Sequence, residues 1–487
     1  MSEQKTSQKQ DFKKLQNTLK RAASLIKNTN DMILCISHID ADGLTSAGII
    51  GRALHREGKR YHIRSVRQLE LPIISELATM HNYETIIFTD LGAGQLDGIN
   101  EYLSDRKIII LDHHPPITEP ASDSIINITP FDYGYDGACQ ISGSGMAYFF
   151  AKTLNPANHD SAAIAIVGAL ADRQDKGPKS SLVGLNREIV EEGKKQGIIE
   201  EKLDIRLFGS ETRPIHKSLE YTTDPFIPGL SGNGDMCNRF LRDTGIPQQR
   251  GDEWRTIQDL SQGERQKLVQ ELITFGLSRG MSVEDSQNIL GYVYRLQQEK
   301  AGTLLRDARE FGSLLNSCGR LGATGIAIGI CMGERRFLYE EAQEILAEYR
   351  KKISEFLGLV TLDSEHLQEL PNILVFDAKD LIDDTMIGTI ISIAISAQPF
   401  IDKNKPMVGL AQSDDGTVKI SCRGTPQLVT QGLSFGDALR VAVEKLGPKA
   451  EGGGHDIAAG ARIPQGTEDI FIESLNMAIE EQLMGEK

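Results

Sequence analysis

The chain has 487 residues and a formal net charge of −15, long enough for several domains with cores of their own. That acidity excludes a protein that coats nucleic acid with a general positive field, so a polyanionic substrate has to be gripped locally. Cys35, Cys139, Cys237, Cys318, Cys331 and Cys422 form no CxxC pair, which argues against a disulfide framework or a zinc–thiolate site and for a reducing, cytoplasmic compartment.

No run approaches the ~18 apolar residues a membrane span needs, and the polar start lacks a signal-peptide core. Residues 1–12 read as a frayed polar lead-in. Residues 13–28 read as an amphipathic helix with Leu15, Leu19, Ala22, Ala23 and Ile26 on one face. An apolar strand over 32–37 then breaks into the polar burst His38-Ile-Asp40-Ala-Asp42-Gly43. A helix over 44–56, closed by Gly58, a strand over 61–66 and a helix over 71–81 follow. The strand 85–88 ends in Thr89-Asp90, and after a helix over 96–104 the strand 107–111 runs into Asp112, His113 and His114, shut off by two prolines. A helix over 161–171 ends in Asp172-Arg-Gln-Asp175.

Strands alternating with helices predict an α/β fold built on a doubly wound, mostly parallel sheet. Acid and imidazole groups just past strand ends lie where such sheets place ligands. Adjacent parallel strands run ~4.8 Å apart, so His38, Asp40, Asp42, Asp90, Asp112, His113, His114 and Asp172 can converge on one small volume. Unpaired carboxylates repel one another there, and divalent cations resolve the conflict. Many carboxylates with few imidazoles and no thiolate suit Mn2+ or Mg2+. Gly92 and Gly94 lack the GxGxxG spacing of a dinucleotide site, and no GxxxxGK[ST] loop is present.

Residues 185–220 read as helical and charged, 223–235 as a Gly/Pro-rich turn or linker, and 237–300 as polar helices. The helix over 304–320 carries Arg306, Arg309, Arg320 and Asn316. It fits a surface helix with Asp307 and Glu310 in ion pairs, or a helix lining the substrate. The helix over 338–357 reads as scaffolding. A second α/β unit starts near 371, with strands over 373–376, 407–412 and 417–422, helices over 384–396 and 435–446, and a last strand over 457–463. Asp415-Gly416 marks a hairpin. In Gly452, Gly453 and Gly454, successive backbone N–H groups can form a nest for phosphate, with His455 as a donor at its rim.

With SHIDADG, FTDLG, LDHH, the Asp172 burst and GGGH in view, the chain resembles the DHH phosphoesterase superfamily. It is most similar to RecJ-like single-strand nucleases of the archaeal, GINS-associated branch, which is related to a DHH-derived subunit of the eukaryotic replicative helicase. The resemblance covers about 30–200 and about 300–470. It implies a DHH catalytic domain (31–200) and a smaller α/β DHH-associated substrate-binding domain (358–487), which with the elements read above leave an N-terminal helix (1–30), a linker (201–235) and a helical region (236–357).

The same resemblance implies a site of two divalent cations, usually Mn2+, with Mg2+ as the alternative. His38 and Asp40 hold one ion, Asp42, His113 and Asp172 the other, and Asp90 bridges them. His114 meets the scissile phosphate, and Asp112 orients the site from behind. Arg423 with Gly452, Gly453, Gly454 and His455 holds a substrate phosphate. The activity so implied is a metal-dependent exonuclease on single-stranded DNA or RNA. Two alternatives stay open: a phosphodiesterase acting on small substrates such as oligoribonucleotides, and a replication-complex subunit that binds GINS. An inorganic pyrophosphatase fits less well, because His38-x-Asp40-x-Asp42 is spaced too tightly.

Overall fold

The computed structural model describes residues 2–116, 118–120, 122–361, 364–397, 401–447 and 450–484. They divide into two compact units, Met1–Leu346 and Ala347–Lys487. The first unit opens with α1 (Ser2–Asn28), β1 (Ile33–His38), α2 (Ala41–Arg56), β2 (Tyr61–Val66), α3 (Leu71–Thr79), β3 (Thr85–Thr89), α4 (Leu96–Tyr102), β4 (Lys107–Leu111) and β5 (Ile125–Ile128). The helix α1 begins at Ser2 rather than after a frayed lead-in, and buries Leu15, Leu19, Ala22, Ala23 and Ile26.

The five strands are all parallel, in the order β2-β1-β3-β4-β5. The chain leaves β1 to one side for β2 and returns on the other side for β3, so the topological switch lies between β1 and β3. Both faces are covered, which explains the unbroken apolar runs. Ile33 and Cys35 of β1 face one core, with Ile109 and Leu111 of β4. Leu34 and Ile36 face the other, with Ile108 and Ile110. The register sets Ser37, Thr89, Leu111 and Ile128 side by side. His38 therefore closes its strand, and Asp90 and Asp112 follow theirs, one step past a common row.

The edge strand β5 and the helix α5 (Gly143–Leu154) were not expected from sequence; α6 (Ala162–Ala171) was. Next come α7 (Gly184–Lys195), β6 (Ile199–Ile205), α8 (Ile215–Tyr221), α9 (Gly234–Asp243), the short hairpin β7 (Gln249–Arg250) and β8 (Glu253–Trp254), α10 (Gln262–Ser278), α11 (Val283–Gln287) and β9 (Leu290–Leu296). Residues 185–220 and 237–300 are thus not purely helical, because β6 and β9 pair as an antiparallel ribbon. Nor is 201–235 a linker: Ile205, Ile215, Leu219, Ile227 and Leu230 are buried in one apolar cluster with Leu241, Leu268 and Leu272. Apolar burial of this kind is what makes a segment a folded part of its domain.

The unit continues with α12 (Ala308–Arg320), α13 (Thr324–Met332) and α14 (Phe337–Leu359), which runs past the division between the units. The reading of α12 as a surface helix fails. Phe311, Leu314, Leu315 and Cys318 are buried with α2 and α6, Asp307 caps the helix, and Glu310 accepts from Thr212 Oγ1 at 2.6 Å.

The second unit holds β10 (Leu367–Glu369), β11 (Leu374–Asp377), α15 (Ile387–Ala397), β12 (Met407–Gln412), β13 (Thr417–Arg423), α16 (Pro426–Thr430), α17 (Phe435–Glu444), β14 (Glu451–Gly454), β15 (Ala458–Pro464) and α18 (Glu468–Met484). Its mixed sheet runs β10-β11-β12-β13-β15-β14. The helices α17 and α18 cover one face, over Val418, Ile420, Ala459, Ala461 and Ile463. The helix α15 packs on the other, against β12 and β13. Among the described residues, no helix is long and apolar enough to cross a membrane.

Candidate metal centre

Every proposed ligand stands at the carboxyl end of the parallel sheet. The strand β1 delivers His38, and the next turn starts α2, with Asp40 as its N-cap accepting from Gly43 N at 3.0 Å and Asp42 in its first turn. The positive end of a helix dipole favours both carboxylates there. Asp90 follows β3 with a left-handed backbone (φ 60), a conformation Asp tolerates better than most residues. Its side chain is buried.

Ligand atoms of His38, Asp40 and Asp90 lie within 4.8 Å of one another, as do those of Asp42, His113 and Asp172, and those of Asp90, His113 and His114. Asp90 is common to the first and third groups, and its two oxygens look different ways. Oδ2 is 3.7 Å from His38 Nδ1, and Oδ1 is 3.2 Å from His113 Nε2. Asp42 and Asp172 lie 3.9 and 3.8 Å from the same Nε2.

His113 is held in one tautomer. Its Nδ1 donates to Gly137 O at 2.7 Å, so in the neutral ring Nε2 carries a lone pair. That lone pair faces Asp90 Oδ1, which is buried and has no hydrogen-bond partner. Two acceptors in contact need a cation between them. A proton supplies one remedy: burial opposes charge on His113, yet Asp90, Asp172 and Asp42 outweigh it and raise the imidazole well above its ordinary value. His38 is raised in the same way, its burial overcome by Asp40 and Asp90. Asp42 shows the remaining excess of negative charge, since burial and then repulsion from Asp90 push it up to about 8. Asp172 is raised by burial and by Asp90 and Asp40, despite His113. Hard oxygen donors, imidazoles and unneutralised charge together fit divalent cations of the Mn2+ or Mg2+ kind.

Asp112 lies behind the cluster and is 1 % exposed. It accepts from Ala93 N at 3.0 Å, His113 N at 2.8 Å and His114 Nδ1 at 2.8 Å. The last bond leaves Nε2 as the ring nitrogen His114 can offer to another group. His114 is also the most exposed member of the set.

Several groups that support the candidate ligands were not given that role by the sequence. The N–H groups of Gly143 and Ser144, at the start of α5, donate to Asp42 at 2.7 and 3.0 Å. Gln174 Nε2 donates to Asp172 at 2.9 Å and to Gly137 O at 2.8 Å. Asn316 of α12 accepts from Ala41 N at 2.9 Å and so braces the turn that carries Asp40 and Asp42. A signal for α5 did exist: Ser142 caps it, and Ser before an apolar run marks a helix start.

The proposed phosphate-holding residues lie in the second unit. Gly452, Gly453 and Gly454 are not a nest; they form the edge strand β14, paired to Ala461, Gly460 and Ala459. Alternation places Gly452 over Val443 and Leu439 and turns Gly453 to the α15 side of the sheet. In register with Gly453 stand Gly460, Ser421 and Gly409; α15 covers the Gly409 end, where an added Cβ would meet Ile391 at 2.4 Å, and leaves Gly453 open. Arg423 sits on the same face as Ser421, two residues along β13, and donates from Nε to Ser392 Oγ at 2.8 Å. His455 is exposed just beyond the strand.

Family models match the chain in three successive stretches: the DHH family N-terminal domain over residues 32–171, the DHH-CID domain over 207–290 and the DHHA1 domain over 373–483. An uncharacterized protein of Methanocaldococcus jannaschii is 31% identical over 476 residues, 97% of this chain and 99% of its own length. Among solved structures, an exonuclease RecJ bound to manganese is similar at TM-score 0.56 and 18% identity, covering 96% of each chain. RecJ of Thermus thermophilus in complex with Mn2+ is similar at TM-score 0.57 and 18% identity, where 95% of this chain spans 55% of that longer one. CDC45 of Entamoeba histolytica is similar at TM-score 0.61 and 12% identity, covering 98% and 99%. The three matches follow one another in the order DHH, DHH-CID and DHHA1 over most of the chain, so the chain belongs to the DHH superfamily, with a fold similar to that of RecJ.

Proposed function

We propose that this protein is a metal-dependent exonuclease that hydrolyses phosphodiester bonds of single-stranded DNA or RNA, in the cytoplasm, with two divalent cations, Mn2+ by preference. The observation that carries the reading is the pair of donor groups, His38, Asp40 and Asp90 beside Asp42, His113 and Asp172, with Asp90 turned to both imidazoles. Cations held there supply an activated water and charge neutralisation at the phosphate. His38 and Asp40 would hold one ion, Asp42, His113 and Asp172 the other, with Asp90 placed to serve both. His114 donates to the phosphate from Nε2, with Asp112 fixing the ring. In the second unit, Arg423 supplies charge, and the open face at Gly453, where an added Cβ would meet nothing within 4 Å, lets a sugar-phosphate backbone approach closely. His455 adds a donor.

A second reading has one specific support, the whole-length likeness to CDC45: a subunit of a replication assembly, with GINS as a partner, in which cleavage is incidental. The manganese-bound RecJ likeness and the full donor set favour the enzyme.

The test is Mn2+-dependent release of nucleotides from strands of about 20 nucleotides, longer than the ~4–16 nucleotides one binding module covers. Labels at the 5′ and 3′ ends of DNA and RNA give polarity and preference. Product from dinucleotides alone would replace the exonuclease with a small-substrate phosphodiesterase. An Asp90→Ala protein that keeps its role in cells while losing Mn2+ would favour the replication subunit.

A further inference from the structure

The last ligand, Asp172, stands where α6 ends, and the next residue, Arg173, has a left-handed backbone (φ 56). Such a conformation at a non-glycine residue persists only where its surroundings hold it. The turn borders a cavity of about 250 Å3 lined by Ala171, Arg173, Arg206, Asp224, Arg309 and Asn316. On that side charge, rather than close packing, restrains it. Asp175 is the residue restrained: its side chain is 7 % exposed and takes ion pairs from Arg309 and, at 3.4 Å, from Arg206. Both arginines come from outside the ligand-bearing sheet. Arg206 follows β6, is tied by its backbone N–H to Ile289 O at 2.9 Å, and donates from Nη1 to Asn288 O at 3.2 Å. Arg309 lies in the first turn of α12, the helix whose Asn316 braces Ala41. Asp224 completes the group, 3.3 Å from Arg206.

We infer that Arg206 and Arg309 are positioning residues for the cation site that Asp172 helps to form: gripping Asp175, they hold the turn at Arg173 and thereby set where the Asp172 carboxylate stands. Neither arginine belongs to any of the three donor groups. The inference rests on the metal-centre reading above, with its two ions and the division of ligands between them. It adds that the strand–helix framework around 206 and 309 tunes one ion and not the other.

The test titrates Mn2+ into the full chain, followed by electron paramagnetic resonance and calorimetry, for wild type, Arg309→Gln, Asp175→Asn and the conservative Arg309→Lys. Arg309→Gln and Asp175→Asn are expected to weaken one of two Mn2+ sites roughly tenfold to a hundredfold, the range for lost outer-shell support. The other site keeps its affinity, and Arg309→Lys recovers part of the loss. In an Asp172→Ala background, Arg309→Gln is expected to add nothing. A wild-type titration from Arg309→Gln, or the same further loss in the Asp172→Ala background, overturns the positioning role. So does loss of the native melt by both Arg309→Gln and Asp175→Asn, which makes the pair a part of the fold. A wild-type protein that binds two Mn2+ but cleaves no nucleic acid sinks the nuclease reading alone and leaves this one standing.

Discussion

Gly168 is the position where one methyl group tests the metal centre most directly. It lies in α6, and a Cβ built there meets Ser144 Oγ at 2.2 Å, Asp42 Oδ1 at 2.4 Å and Thr45 Oγ1 at 2.4 Å. Comfortable contacts need ~3.5 Å, so in Gly168→Ala these groups have to move by about 1 Å. Overpacking of that size costs ~1–3 kcal/mol, offset by about 1 kcal/mol from better helix propensity. The net loss of stability is therefore small, and a thermal melt should show a folded protein. Ligand geometry is far less forgiving, because donor distances have to fall within ~0.2 Å of their proper values. Gly168→Ala should bind one Mn2+ normally and the second at least ~10-fold more weakly, read by titration under electron paramagnetic resonance. Two sites of wild-type affinity in a folded Gly168→Ala protein would refute the assignment of Asp42 as a ligand.

Three further outcomes are expected. His113→Ala should lose Mn2+, whereas His114→Ala should keep it and lose turnover; equal loss of metal would count against the division of roles. Asp42 in the cation-free protein stays protonated up to about 8, against 3.8 for an ordinary Asp, so the folded state holds an extra proton across that window. Stability without cations should then fall as pH rises through it, and Mn2+ binding near neutrality should release protons; calorimetry showing the same heat in buffers of different ionisation enthalpy would contradict this. A Cβ added at Gly453 would meet nothing within 4 Å, so Gly453→Val should leave stability within ~0.5 kcal/mol while raising KM for nucleic acid; an unchanged KM would remove the phosphate role from this strand.

The candidate ligands stood out in the sequence because each follows an element with a strong apolar signature. The strand 107–111 and the helix 161–171 announce themselves, and the acids and imidazoles after them stand out. The supports were not legible, since many act through backbone groups: Gly137 O, and the N–H groups of Gly143 and Ser144, have no side-chain signal. The ribbon β6 was missed because Ile199-Glu-Glu-Lys-Leu-Asp-Ile205 is as polar as a surface helix and pairs with a strand nearly a hundred residues away. Triglycine carries no propensity of its own. Only its pairing with 459–461 made it a strand, which replaced an anion nest with a bare floor.

The shared row Ser37, Thr89 and Leu111 has a bearing on how the sheet assembles. A slip of one residue between two of these strands carries one ligand ~3.3 Å along the strand axis and swaps the side chains between faces. His38, Asp90 and His113 then no longer meet. A divalent ion held by these groups would thus serve as a gauge of alignment: it would reward only the pairing in which all strand ends are flush, and withhold its binding energy from every shifted one. Ions present during refolding should sort correctly threaded sheets from misaligned ones before any phosphodiester is encountered.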